Sequence, residues 1–210
     1  MTAHANELHL QFPEVVHTSD LILDGEVIGI ESYFSHDGHF ISTDVTFDVI
    51  DLIHVGADAS LEDESTVTIT IAGGTVGETS LWVSSMPDLR VGERVIGFLQ
   101  HDGRTFFNPF VGGSQGLFLV DEDASIEPFP ITRSGRAIIG VDGTELVRTP
   151  IISWIDGSVA HFDTAIDGLS QAPVSQSPGH DSKTISFPST GTFLDLDGFK
   201  SLIHDTLELP

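Results

Sequence analysis

Cysteine is missing from the 210-residue chain. No disulfide framework holds it, and a secreted domain built without one depends on a core of sufficient size. Basic residues are scarce: 8 Lys and Arg stand against 32 Asp and Glu, a formal charge of -24. This excludes a general nucleic-acid binder, which needs a basic footprint to neutralise phosphate, and it disfavours an anionic membrane surface. The only lysines are Lys183 and Lys200. An acid-rich, lysine-poor surface suits a salty medium, divalent cations or a basic partner, and its plainer role is solvation. No apolar run approaches the ~18 residues of a transmembrane helix. No His-Glu-x-x-His pattern occurs, so the chain is not itself a metalloprotease of that class.

What the chain does have is alternation. Ile41, Val45, Phe47 and Val49 alternate with Ser42, Asp44, Thr46 and Asp48, and Val67, Ile69 and Ile71 with Thr66, Thr68 and Thr70. Period-two patterning rich in β-branched residues puts one strand face on a core and the other in water. The hydrophobic share of 40% is enough for a sizeable core. The pattern predicts a mainly β fold, with an antiparallel OB-like barrel over residues 6–121. An accessory β-hairpin region at 122–168, a Ser/Pro-rich linker at 169–192 and a C-terminal helix at 193–210 follow it. The helix is marked by Asp195 as a cap and by an apolar stripe of Leu196, Phe199, Leu202, Ile203 and Leu207.

Within the barrel region, residues 12–19 read as a short helical lead-in. Strands are expected at 21–34, bent at Gly25 or Gly29, and at 40–52, 66–71, 80–83, 94–100, 104–111 and 116–120. Asp37-Gly38, Asp102-Gly103 and Asp142-Gly143 supply the positive φ angles of hairpin turns. At the N-terminus, Ala3-His4-Ala5 fits the small-residue rule of signal-peptidase sites. Residues 1–5 are therefore expected to be a signal-peptide remnant, with the mature chain starting at Asn6 and the protein secreted or periplasmic.

Several segments in order carry a resemblance. They are residues 20–27 (DLILDGEV), 43–49 (TDVTFDV), 67–69 (VTI) with Gly73, Gly74 and Gly77, 89–95 (LRVGERV), Phe98-Leu99, and 113–118 (GSQGLF). Together they span about 15–120. The chain resembles a family of secreted bacterial β-rich proteins of unassigned function. The strand order is also similar to the netrin-like OB barrel of tissue inhibitors of metalloproteinases. In those inhibitors an N-terminal cysteine chelates the protease zinc through its amino group and carbonyl. The matching position here is Asn6. The binding ridge implied by that resemblance comprises Asn6 and Glu7, the turn His36, Asp37, Gly38 and His39, and the loop Gly73, Gly74 and Thr75. The partner it implies is another extracellular protein, a secreted metalloprotease in its sharpest form.

Three other motifs carry candidate chemistry. Gly112-Gly113-Ser114-Gln115-Gly116 matches the G-x-S-x-G nucleophile elbow, which would make Ser114 a serine-hydrolase nucleophile. That elbow requires a strand-to-helix turn, whereas β-like residues flank Ser114 on both sides, so a Gly-rich bend is the plainer reading. Among 10 histidines, His36 and His39 form the closest pair, but zinc sites want three or four ligands with a defined second shell. Asp195-Leu196-Asp197-Gly198 has part of a calcium-loop pattern. Phe193 and His204 occupy places where an EF-hand needs carboxylates, leaving a helix cap. No cofactor is expected beyond weak Ca2+ association at the acidic loops.

The expected function is a non-catalytic, secreted protein-binding module, inhibitor-like at its sharpest. A serine hydrolase using Ser114 and an extracellular assembly subunit are the alternatives.

Overall fold

The computed structural model describes residues 9–36, 38–57, 59, 61, 63–101, 107–122, 127–148, 152–153, 161–162 and 194–209. The architecture is mainly β, an antiparallel sheet joined by a C-terminal helix. Helix α1 (Phe12–Thr18) leads into β1 (Leu21–Phe34), β2 (Ile41–Val55) and β3 (Thr66–Ala72). A small hairpin follows, β4 (Gly74–Val76) and β5 (Thr79–Leu81), then β6 (Arg94–Leu99), a 3-10 turn at Gly113–Gly116, β7 (Leu117–Asp121) and β8 (Phe129–Thr132). Hairpin β9 (Ile138–Asp142)/β10 (Glu145–Arg148), the short pair β11 (Ile152–Ser153)/β12 (His161–Phe162) and helix α2 (Leu196–Leu207) complete the series. Six strands form one sheet in the order β3-β2-β1-β6-β7-β8.

The alternating strands behave as their pattern dictates. Ile41, Val45 and Phe47 of β2 and Val67, Ile69 and Ile71 of β3 are buried. With Leu21, Leu23, Val27, Val95, Leu99, Phe110 and Leu117 they line one face of the sheet. The opposite face, through Ile22, Ile53, Ile96, Phe98 and Phe118, packs on α1, α2 and the β9/β10 hairpin. Residues 21–24 of β1 are therefore buried without alternation, because both faces of that stretch are covered.

Strand β1 is long and bent. Its register with β2 shifts between Ile22 and Leu23, between Asp24 and Gly25, and between Val27 and Gly29; such bulges curve a strand and sharpen its twist. Gly25 is required by close approach, since a Cβ there would lie 2.9 Å from the Asp48 carbonyl oxygen.

The helices sit where aromatic packing holds them. Phe199 of α2 is fully buried, with ring centroids 5.1 Å from Phe118, 5.8 Å from Phe12 and 6.4 Å from Phe98. Burying one such side chain is worth about 1.5–3 kcal/mol, which a twelve-residue helix needs because it is marginal alone. Asp195 caps α2, its Oδ1 accepting from the Gly198 N–H at 2.7 Å. The N-terminus of α1 is closed by the Glu14 carboxylate accepting from the Gln11 N–H at 2.7 Å.

Three expectations shift. The strand expected at 80–83 lies one residue earlier, where Thr79–Leu81 pairs with Gly74–Val76. Of the strand expected at 104–111, residues 107–111 are described, and they meet β6 through a single bridge between Leu99 and Phe110. The 3-10 turn at Gly113–Gly116 interrupts the ladder before β7 resumes it. The sheet also continues past residue 121: β8 pairs with β7, while β9/β10 and β11/β12 form separate two-stranded pairs. The linker expected at 169–192 lies outside the described residues. Among the described residues no helix is long and apolar enough to cross a membrane.

Candidate functional site

Two places in the fold concentrate polar or aromatic groups beyond what the core requires. The first is a buried charge cluster that joins α2 to the sheet. Asp24 is fully buried at the centre of the sheet. The Arg94 guanidinium grips it with two bonds, Nε to Oδ1 at 2.8 Å and Nη2 to Oδ2 at 2.7 Å. The Lys200 ammonium reaches the same Oδ2 at 2.7 Å and also Asp51 at 2.9 Å, while Arg94 extends to Glu122 at 2.6 Å.

Burial pushes the Asp24 carboxyl up, but the bonds and charges of Arg94 and Lys200 outweigh it and hold it below the ordinary carboxylate range. Burial lowers the Lys200 ammonium, and Asp24 and Asp51 more than reverse this, so it is raised. The cluster is satisfied: among the described residues no buried side-chain nitrogen or oxygen lacks a partner. It is a structural clamp. Sequence reasoning missed it, although the rarity of lysine was the available signal.

The second place is the far end of β1. There the β1–β2 ladder closes at Phe34 and Ile41. The Phe40 carbonyl accepts from the Ser35 N–H at 2.7 Å, and the Ser35 hydroxyl accepts from the Phe40 N–H at 2.9 Å. This turn carries His36, Gly38 and His39; Asp37 lies outside the described residues. The end of β3 comes to the same place, its Gly73 N–H donating to the Ile41 carbonyl at 2.8 Å.

A hydroxyl relay then pins the loop that follows. Thr43 donates to the Gly73 carbonyl at 2.6 Å and lies 2.8 Å from the Ser32 hydroxyl. Since the single Thr43 proton is spent on Gly73, Ser32 is the donor in the second bond. Gly74, at φ +132°, packs against both hydroxyls, and a Cβ there would collide with Thr43 and Ser32. Thr75 is exposed on β4, opposite Ser80 at 2.9 Å.

Aromatic side chains rim this end. Phe107 is 71% exposed and its ring meets Phe40 edge-on at 5.9 Å. Its carbonyl accepts from the Ala72 N–H at 3.0 Å. Trp82, just beyond β5, is 85% exposed, and Tyr33 and Phe34 are exposed on β1. A Cβ on Gly73 would touch the Leu81 carbonyl and Val83, so the chain on either side of Trp82 lies directly beside the β3 end. Ser85 adopts φ +66°, a left-handed conformation uncommon for a non-glycine residue. Asn108 braces it, donating to the Ser85 carbonyl at 3.1 Å while its own oxygen accepts from the Phe110 N–H.

Of the residues singled out from the sequence, the turn at His36, Gly38 and His39 and the loop Gly73, Gly74 and Thr75 are thus neighbours. Asn6 and Glu7 lie outside the described residues. The first described residues, His9 and Leu10, contact the Gln115 side chain at 3.1 and 2.9 Å. They sit near the beginning of β1, where Leu21 pairs with Leu99, whereas the turn is at its end. Ser114 lies on the 3-10 turn between Phe110 and β7, with strand following it rather than helix. Among the described residues no group of three or more His, Asp or Glu side chains is spaced to hold a metal ion.

His54 on β2 has as its titratable neighbours His17 and His204, from the last turns of α1 and α2, and Asp20. Burial pushes its imidazole down; Asp20 opposes this, and the two histidines add to it. No protein-family model, no curated protein and no solved structure matches the chain.

Proposed function

We propose that the protein is a secreted or periplasmic, non-catalytic protein-binding module that engages another extracellular protein through the end of the sheet bearing the His36–His39 turn and the Gly73–Thr75 loop. The observation that carries this is the convergence of those two segments on one scaffold end, braced by the Ser32–Thr43–Gly73 relay and rimmed by exposed aromatic rings. Loops presented by a rigid scaffold are where binding residues concentrate.

The scaffold itself is proposed to close as an OB-like barrel. Supporting this, the Ala72 N–H bonds to the Phe107 carbonyl, bringing the end of β3 to the segment that leads into the β6 bridge at Phe110. An inhibitor-like action on a secreted metalloprotease is the sharpest form of the proposal, and it would be carried by the turn and the loop rather than by Asn6, because His9 and Leu10 sit at the opposite end of β1.

The test combines binding and turnover. Protein beginning at Asn6 is passed over a panel of immobilised secreted metalloproteases, and p-nitrophenyl ester hydrolysis is assayed in parallel with Ser114→Ala. Saturable binding without ester turnover is expected. Ester hydrolysis that Ser114→Ala abolishes, with folding intact, would replace the module by a hydrolase.

A further inference from the structure

We propose that the outer half of β1, residues 28–34, pairs with the same strand of a second copy of the chain, antiparallel about a two-fold axis at Ser32, so that two sheets join into one. This goes beyond the binding-module reading and does not depend on it.

Strand β1 has a neighbour on both sides only over its first half. Its ladder with β6 ends where Glu26 meets Arg94. Val27 makes the last bonds on that side, its N–H donating to the Glu93 carbonyl at 2.9 Å and its carbonyl accepting from the Gly92 N–H at 2.8 Å. Beyond Val27, β1 pairs with β2 alone. The bond from the Ser35 N–H to the Phe40 carbonyl fixes the phase of that ladder. Residues of an antiparallel pair alternate between exchanging bonds and pointing away. Glu31 and Tyr33 therefore bond to β2, while Ile30, Ser32 and Phe34 turn their N–H and C=O groups outward. Among the described residues nothing takes up those outward groups.

The side chains there are uncovered too. Ile30 and Phe34 lie opposite Val45 and Ile41, on the face that buries the core, yet they are 40% and 43% exposed, and Ile28 at the bulge is 48% exposed. Stable folds blunt their edge strands with charge, proline or a covering segment. β8 has Pro130 and the bridge from Ile131 to Ala137; β3 presents threonines, and Phe107 takes its Ala72 N–H. The outer half of β1 has no proline and no lysine, and its carboxylate, Glu31, stands on the other face of the sheet.

The order of side chains selects a second copy as the occupant. With Ser32 opposite Ser32, Ile30 meets Phe34 of the second copy on one face, and Glu31 meets its Tyr33 on the other. Ile30, Ser32 and Phe34 all point outward, so each of these pairs exchanges two backbone bonds. Sliding the strands by two residues one way sets Glu31 against Glu31. Sliding them the other way sets Ile30 against His36. Only the Ser32-centred register joins Ile30 to Phe34 and keeps like charges apart. The formal charge of -24 on each copy opposes association, and salt screens it.

Sedimentation velocity of the full chain between about 5 and 500 μM, at about 0.05 and 0.5 M NaCl, tests the pairing. A strand pair this short makes a small interface, so a monomer–dimer equilibrium in the micromolar range is expected, tighter at the higher salt. Ile30→Pro removes an outward N–H that β2 does not use. Ile30→Glu and Phe34→Lys alter half-exposed side chains and hold the test should the proline variant misfold. Thr68→Lys, on β3, is the control. The three β1 variants should each weaken the dimer by about tenfold or more, and Thr68→Lys should leave it unchanged. Mixing Ile30→Glu with Phe34→Lys sets a carboxylate opposite an ammonium and restores the other apolar pair. The mixture should therefore dimerise about tenfold or more tighter than either variant alone. A parent chain still monomeric at the highest concentration and salt, a dimer untouched by the three variants, or a mixture no tighter than its components overturns the proposal.

Discussion

Replacing Asp24 by Asn would test how α2 is held. The carboxylate is fully buried and takes three short bonds, two from Arg94 and one from Lys200. Removing one member of a buried ion pair costs about 3–5 kcal/mol, because the remaining charge loses its counter-charge without regaining water. The lower end applies here, since Arg94 keeps Glu122 at 2.6 Å and Lys200 keeps Asp51 at 2.9 Å. About 3 kcal/mol is therefore expected, a fall in melting temperature of about 6–12 °C for a chain of this length.

Lys200→Met retains the aliphatic stem and leaves Asp24 its two bonds from Arg94, so it should cost less, about 1–2 kcal/mol. The two changes share one interaction, and the double variant should fall short of their sum by about 1 kcal/mol or more. Urea unfolding at neutral pH measures all three. An Asp24→Asn cost below about 1 kcal/mol, or strict additivity in the cycle, would refute the assignment of Asp24 as the anchor of α2.

Three further outcomes are expected. Glu26 lies directly opposite Asp48, and Glu31 opposite Asp44. Like charges so placed repel, so the melting temperature should rise as NaCl or CaCl₂ goes from tens to hundreds of millimolar; a flat or falling trend counts against this. His54 has a folded-state value depressed below its ordinary one, chiefly by burial. Its stabilising contribution is complete above about pH 6.5 and is lost as pH falls from there through the folded value. His54→Gln should accordingly show a smaller loss of urea midpoint than the parent between about pH 7.5 and 5.5, and equal losses would exclude the effect. Asp24, also depressed, contributes only above its own range, so Asp24→Asn should lose its disadvantage progressively as pH falls below about 3.9, read from the same midpoints.

The legible parts of the fold were those whose burial repeats along the sequence. β2 and β3 each present one buried and one wet face, so period two announced them. β1 was recognised as a strand, but its start, Leu21–Asp24, is covered on both sides and has no alternation to read. Asp24 is a charge in an apolar run, and its meaning depends on Lys200, which only the folded chain brings near. β8 was obscured by Pro130, which suits a sheet edge because it donates no hydrogen bond, yet in isolation reads as a break.

At Ser114 the strand that follows, β7, was legible in the run Leu117–Val120, whereas the 3-10 turn that carries the serine has no period to read. At the candidate site the turn and the glycine loop were visible through turn chemistry. The exposure of Trp82 and Phe107 was not, because nothing local to a residue says that the fold will leave it uncovered.

The placement of Lys200 has a consequence in time. Its partner Asp51 is 149 residues earlier in the chain. Translation at about 5–20 residues per second separates their emergence from the ribosome by on the order of ten seconds. The face lined by Val27, Val45, Phe47, Val67 and Ile69 draws on the early part of the chain and can collapse during that interval. The opposite face, with Ile22, Phe98 and Phe118, must wait for Phe199, and Asp24 waits for its second cation. Nascent chains would therefore pass through a stage with one face of the sheet finished and the other still wet, an aggregation hazard that the heavy negative charge of the chain opposes by keeping neighbours apart.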